Sequence, residues 1–200
     1  MGISSANFSL ITTVEELLGG WQGKRILELG NQLLRGGEGR RTSKDYFTAL
    51  GATHVSFDLN GQDGAIPIDL CGPVPDKYWG TFDVVTNFGT SEHIANQEQV
   101  FKTVHNCCRV GGYMIHSVPL IGYWKTHCPY YYRDNFYRVL AEGCGYCLIS
   151  SNVADRFREK LLNGILQKVS TSRFGTALFT RISASIEKTD KYTVGLNNRL

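Results

Sequence analysis

The chain has 200 residues, of which 42% are hydrophobic and 20% are charged, and its formal net charge is +3. This length and composition predict one globular domain with a sizeable hydrophobic core, and so small a positive charge does not imply a nucleic-acid partner. No apolar run approaches the roughly 20 residues that a membrane-spanning helix requires. Neither a signal peptide nor a lipid anchor is indicated, so we expect a cytoplasmic protein.

The first half of the chain predicts alternating strands and helices. Val14, Leu17 and Leu18 recur at helical spacing before Gly19, which indicates a short helix. Short apolar runs bounded by turn residues indicate buried strands. The predicted strands span 26–29, 54–57, 65–68, 82–86 and 113–118, and the predicted helices span 11–21, 42–50 and 97–110.

The second half continues the alternation after a segment rich in aromatic residues. Here the sequence predicts a helix at 134–143, a strand at 147–151, a helix at 156–169 and a last strand at 177–186. Alternation of this kind is typical of a mostly parallel sheet with helices on both faces. The predicted fold class is therefore α/β, a single Rossmann-like doubly wound domain with a seven-stranded sheet.

The cysteines give no indication of a metal site. Of the six, only Cys144-Gly-Tyr-Cys147 forms a C-x-x-C pair, and neither a second pair nor well-spaced histidines complete a zinc site. A thioredoxin-type redox pair is not expected either, because such a pair opens a helix whereas this one enters a predicted strand. We therefore expect reduced thiols and no bound metal.

Polar residues follow three of the predicted strands. Glu28 and Gly30 close the first strand, Asp58 closes the second, and Asn87 closes the fourth. Because the carboxyl ends of parallel strands share one edge of an open sheet, these residues are expected to surround one ligand crevice. Asp58 is placed to accept hydrogen bonds from two vicinal ribose hydroxyls. The arrangement predicts an adenosine-type cofactor.

Five motifs extend this pattern over nearly half of the chain. They are Ile26-Leu-Glu-Leu-Gly30, Asp58, Ile68-Asp69-Leu70, Phe82-Asp-Val-Val-Thr-Asn87 and Arg109-Val-Gly-Gly-Tyr-Met-Ile115. The most specific part is Gly89-Thr-Ser-Glu-His93, followed by a predicted helix and Gly111-Gly112. In this order and spacing the chain resembles the class I S-adenosylmethionine-dependent methyltransferases, and most closely the small enzymes of the type 11 and type 23 groups.

The resemblance implies S-adenosylmethionine as the cofactor and a small, polar acceptor molecule as the partner. It implies a cofactor-binding half at about 24–118 and an acceptor-binding segment at about 119–146. Asp69 and Leu70 match the position that contacts adenine, and Asn87 and Phe88 match the position that lines the methionine end. The predicted cofactor-binding residues are Glu28, Gly30, Asn31, Asp58, Leu59, Asp69, Leu70, Asn87 and Phe88.

Three residues are candidates for catalysis. Methyl transfer is a direct displacement that depends on alignment of the nucleophile, and a base helps when the acceptor is a hydroxyl or a protonated amine. His93 is the first candidate, since a neutral histidine accepts a proton near pH 7, and Glu92 is the second. His127, in the aromatic segment, is the third. The alternatives are that His93 packs against the cofactor loop and that His127 lies in an exposed turn.

Two rival functions remain open. A nicotinamide-dependent oxidoreductase would need G-x-G-x-x-G directly after the first strand, and Gly30-Asn-Gln-Leu-Leu-Arg-Gly36 does not supply it. A non-catalytic binding module or partner subunit is favoured by the same glycine-poor loop. Against it, Asn31 tolerates a positive φ better than most residues, so we expect it to substitute in part for a missing glycine.

The basic cluster after this loop is either a solvated face or a contact for an anionic acceptor. Its members are Arg35, Arg40, Arg41 and Lys44.

Overall fold

A six-stranded mixed sheet organises the chain in the computed structural model, which describes residues 2–35, 40–124, 126–156 and 159–189. The strands are β1 (Gly2–Ile3), β2 (Arg25–Leu29), β3 (Leu33–Leu34), β4 (Thr53–Phe57), β5 (Phe82–Phe88), β6 (Cys108–Pro119), β7 (Tyr130–Tyr132), β8 (Tyr146–Arg156), β9 (Glu159–Lys168) and β10 (Ile186–Lys188). The helices are α1 (Ser5–Leu18), α2 (Ser43–Ala49), α3 (Gln97–Cys107), α4 (Phe136–Cys144) and α5 (Thr176–Ser183).

The main sheet has the strand order β4-β2-β5-β6-β9-β8. The first four of these strands are parallel, and β9 runs antiparallel to both of its neighbours. Two small ladders lie outside the main sheet, a parallel one between β1 and β3 and an antiparallel one between β7 and β10. The order confirms the predicted α/β class with a mostly parallel sheet.

Helices cover both faces of the sheet because its central strands are apolar on both sides. Ile26 and Val84 belong to one core, which packs under α1 and α2. Leu27 and Val85 belong to the other core, which packs against α3 and α4. Successive residues of a strand point to opposite faces, so β2, which is buried from Ile26 to Leu29, is covered on both. The doubly wound arrangement is thereby confirmed.

The main sheet has six strands rather than the predicted seven. The predicted strand at 65–68 is reduced to an isolated parallel bridge between Phe57 and Ile66. Asn60-Gly61 and the short turn that follows hold this segment beside β4, but Pro67 lacks the backbone N–H that a ladder requires. The segment therefore follows the sheet edge without becoming a full strand.

Two predictions near the carboxyl end are wrong. Residues 156–169, predicted as a helix, contain the whole of β9, where an unbroken buried run from Leu161 to Leu166 is covered on both faces. Residues 177–186, predicted as a strand, mostly form α5, because Leu178 and Ile182 recur four residues apart and pack against α4.

Within the described ranges, no helix combines the length and the apolar character needed to cross a bilayer.

Candidate active site

The carboxyl ends of β2, β4 and β5 meet at one edge of the sheet. Leu29, the last residue of β2, pairs with Phe57 on one side and with Asn87 on the other. The backbone N–H of Gly30 continues this alignment by donating to the carbonyl of Phe57 at 2.8 Å. The structure therefore brings Gly30, Asp58 and Asn87 to adjacent positions, as the sequence predicts.

Gly30 forms a turn that only glycine tolerates without strain. Its φ is +83°, and a Cβ atom there would lie 2.6 Å from Thr90 Oγ1 and 2.7 Å from Gln32 Nε2. Gln32 Nε2 donates to Thr90 Oγ1 at 3.1 Å, and that hydroxyl donates to the carbonyl of Leu29 at 2.7 Å. Two buried side chains thus pack directly against the turn.

Glu28 supports this loop from inside the protein. Its Oε2 accepts the backbone N–H of Gln32 at 3.1 Å and the hydroxyl of Ser43 at 2.7 Å, so it links the loop to the start of α2. Burial raises the pKa of the Glu28 carboxyl to about 8 and lowers the pKa of His54 to about 4. Both shifts disfavour an ion pair, so the 3.7 Å approach of His54 Nε2 to Glu28 Oε2 is a contact between neutral groups.

Asp58 and Asn31 connect the loops that follow β4 and β2. Asp58 Oδ2 accepts the backbone N–H of Asn31 at 2.8 Å, and Oδ1 accepts that of Asn60 at 3.0 Å. Asn31 Nδ2 in turn donates to Asp63 Oδ2 at 2.9 Å. The Asp58 side chain is half-buried, and each of its oxygens keeps lone-pair capacity for a further donor. Leu59, beside it, is 64% exposed.

The other predicted cofactor residues occupy different environments. Asp69 is exposed, and its Oδ1 accepts the backbone N–H of Cys71 at 2.8 Å, whereas Leu70 is packed in the core. Asn87 is fully buried, and its side chain donates to Ser91 Oγ at 2.8 Å and accepts the backbone N–H of Ser91 at 3.0 Å. Asn87 therefore fixes the turn that carries Glu92 and His93.

A cavity of about 260 Å³ opens beyond the ends of β5 and β6. Its wall contains Phe88 at the end of β5, Gly89 after it, Ser117 of β6, and Trp124 from the aromatic segment. The remaining described residues of the wall are Gly2, Asn7, Arg35, Glu92, Pro119, His127 and Leu161. The cavity thus lies next to Phe88, which was predicted to line the methionine end of the cofactor.

The three predicted catalytic residues lie together, and two of them, Glu92 and His127, line this cavity. Ligand-type atoms of Glu92, His93 and His127 all lie within 4.8 Å of one another, and the two imidazole rings are 5.2 Å apart. Glu92 is buried and His127 is exposed. Burial raises the pKa of Glu92 to about 8 and lowers the pKa of His93 to about 4, the latter with a contribution from the nearby His127.

Sequence reasoning did not identify several residues that shape the site. Gln32 and Ser43 position the loop at Gly30 and carry no motif of their own, and Thr90, which contacts the same loop, lies in the Gly89–His93 motif but was not assigned a role. Gly2, in the β1–β3 ladder, and Asn7, in the first turn of α1, also line the cavity. The basic cluster divides, since Arg35 lines the cavity whereas Arg40 forms an ion pair with Asp63, its Nη2 lying 2.6 Å from Oδ2.

Comparison with known proteins gives structural neighbours only. The sequence matches no protein-family model and has no significant match among curated proteins. The structure resembles 1,6-didemethyltoxoflavin-N1-methyltransferase from Burkholderia thailandensis, crystallised with S-adenosylhomocysteine (TM-score 0.60, 15% identity, covering 83% of this chain and 79% of that one). It also resembles a putative S-adenosylmethionine-dependent methyltransferase from Listeria monocytogenes (TM-score 0.59, 13% identity, 80% and 97% covered). A third neighbour is the [4+2]-cyclase SpnF (TM-score 0.57, 11% identity, 80% of each chain covered). At these identities the likeness establishes a shared fold.

Proposed function

We propose that this protein is an S-adenosylmethionine-dependent methyltransferase that acts on a small, polar acceptor. The observation that carries the proposal is the sheet edge itself, where Gly30 and Asp58 lie side by side and a cavity opens next to Phe88. A sheet edge of this kind is the usual ligand site of doubly wound folds. The methyltransferases among the structural neighbours support the same activity.

The residues at this edge fit the cofactor. The Asp58 carboxylate would accept the two ribose hydroxyls, since both of its oxygens keep lone-pair capacity. The exposed side chain of Leu59 and the exposed acid of Asp69 would contact the adenine. The sulfonium of the bound cofactor supplies an electrophilic methyl group and a good leaving group. The protein then has to align the acceptor and exclude water.

The cavity determines which acceptors fit. A volume of about 260 Å³ suits a small molecule rather than a polymer. Arg35 is the one permanently cationic side chain among the described wall residues, so an anionic group on the acceptor would be placed there. Glu92, His93 and His127, whose side chains lie close together, would accept the proton that the acceptor loses.

A binding module that does not transfer methyl groups is the second candidate function. The Gln32–Thr90 hydrogen bond favours it, because these side chains fill the space against Gly30. The SpnF neighbour has the same fold and is described as a [4+2]-cyclase rather than as a methyltransferase, so the fold alone does not determine the activity.

Isothermal titration with S-adenosylmethionine, S-adenosylhomocysteine and NAD separates these functions. Heat with the first two and none with NAD would support the methyltransferase, and heat with NAD alone would support an oxidoreductase. If none of the three ligands gave a heat of binding, the result would support the binding module. Thermal shifts with a panel of acceptors in the presence of S-adenosylhomocysteine would then identify the acceptor class.

The proposal includes a cytoplasmic site of action. Its support is that all six cysteines are unpaired and that four of them are buried, which suits a reducing compartment.

A further inference from the structure

We propose that Glu92, His93 and His127 bind one divalent transition-metal ion, of the zinc or iron(II) type, at the wall of the cavity. The three ligand-type atoms lie within 4.8 Å of one another. Atoms bonded to one such ion at about 2.0–2.2 Å lie no more than about 4.4 Å apart. Small side-chain rotations are therefore sufficient to bring all three onto a common ion.

Two of these residues carry buried polar atoms that lack a partner. Glu92 is 2% exposed, and its Oε2 accepts no hydrogen bond. His93 Nε2 is likewise buried and unpartnered. Leaving such atoms unsatisfied is unfavourable, and a metal ion bonded to both would remove that cost. Glu92 is also one of the residues that line the cavity, so the proposed ion would lie next to it.

The donor set indicates the class of metal. Two imidazole nitrogens and one carboxylate suit zinc, iron(II) and related ions, whereas calcium and magnesium require oxygen ligands. Three protein ligands leave an open coordination position, which is typical of catalytic rather than structural sites. Because His127 is exposed and lies on the cavity wall, an ion has an entry path from solvent.

The open position would face the acceptor. A hydroxyl bound there would have its pKa lowered by the metal and would release its proton to solvent water. Glu92, His93 and His127 would then act as ligands rather than as proton acceptors. This consequence rests on the proposed methyl transfer, whereas metal binding itself does not.

Titration of the chelator-stripped full chain with Zn²⁺, followed by calorimetry, tests the site. We expect one ion per chain, and we expect His127→Ala to weaken binding by about tenfold or more. Because His127 is exposed, the metal-free variant is expected to have the same unfolding temperature as the metal-free native chain. Glu92→Gln provides a second test and is expected to weaken binding by a similar factor.

The control for adventitious thiol binding is Cys147→Ser, which alters the exposed cysteine of the C-x-x-C pair. Binding that survives His127→Ala within about threefold, or that disappears in Cys147→Ser, would overturn the proposal. Asp58→Asn is expected to bind Zn²⁺ with the same affinity as the native chain. Zinc binding without S-adenosylhomocysteine binding would leave the metal site standing and refute the methyltransferase, and the opposite result would refute the metal site alone.

Discussion

Replacing Asp58 by asparagine is expected to weaken the binding of S-adenosylhomocysteine by about 30- to 150-fold. In the folded protein each oxygen of the Asp58 carboxylate accepts one backbone N–H, from Asn31 at 2.8 Å and from Asn60 at 3.0 Å, and keeps capacity for one ribose hydroxyl. A hydrogen bond to a charged group contributes roughly 1.5–3 kcal/mol. Asparagine keeps one acceptor oxygen and no charge, so one bond is lost, the other is weakened, and about 2–3 kcal/mol disappears.

The assay is calorimetric titration of the native chain and the variant under identical conditions. The new amide nitrogen of Asp58→Asn also faces a backbone N–H, so thermal unfolding without ligand has to be measured to separate affinity from stability. Asp76→Asn is the matched control, because Asp76 is an exposed acid outside the crevice, and it is expected to bind normally. An affinity of Asp58→Asn within about threefold of native, in a folded variant, would refute the ribose assignment.

Three further predictions concern the fold that supports the site. Gly30→Ala forces a positive φ and displaces the Gln32–Thr90 pair, so it is expected to lower the unfolding free energy by about 2–4 kcal/mol in urea denaturation; an unchanged midpoint would contradict this geometry. Glu28→Gln removes a carboxyl whose pKa rises from 4.5 to about 8 on folding. The native chain binds that proton more tightly than the unfolded chain, so its stability relative to the variant is expected to fall as pH rises across that window, measured by urea denaturation at several pH values. A constant difference would show that Glu28 is charged when folded. Gly164→Ala places a Cβ 2.5 Å from the ring of Tyr137, so it should destabilise by about 1–3 kcal/mol, whereas Gly175→Ala meets no atom within 4 Å and should change little; equal thermal shifts for the two would refute the packing argument.

The sequence predicts the parallel half of the sheet well. Ile26 to Leu29 and Phe82 to Thr86 are short apolar runs between turn residues, and their identity as strands depends on local pattern alone. The same locality explains why Gly30 and Asp58 could be placed at one edge before any contact was known, since parallel strands fix which ends meet.

The carboxyl-terminal strands could not be predicted in this way. The run from Leu161 to Leu166 has apolar side chains at four of its six positions, and periodicity alone does not distinguish a central strand from a buried helix. Its strand identity comes from insertion between β6 and β8, which is a tertiary effect. The approach of His127 to Glu92 and His93 is tertiary too, because the segment after β6 folds back over the cavity.

The position of β9 has a consequence for synthesis of the chain. Because the chain is synthesised from its amino terminus, β6 leaves the ribosome before β9. The outer edge of β6, from Tyr113 to Pro119, therefore has no pairing partner until residue 168 has emerged. An unpaired apolar edge is a template for association with other chains. Truncated forms that end before β9 are therefore expected to aggregate during expression, even when they contain the whole of the Gly30–Asp58 edge.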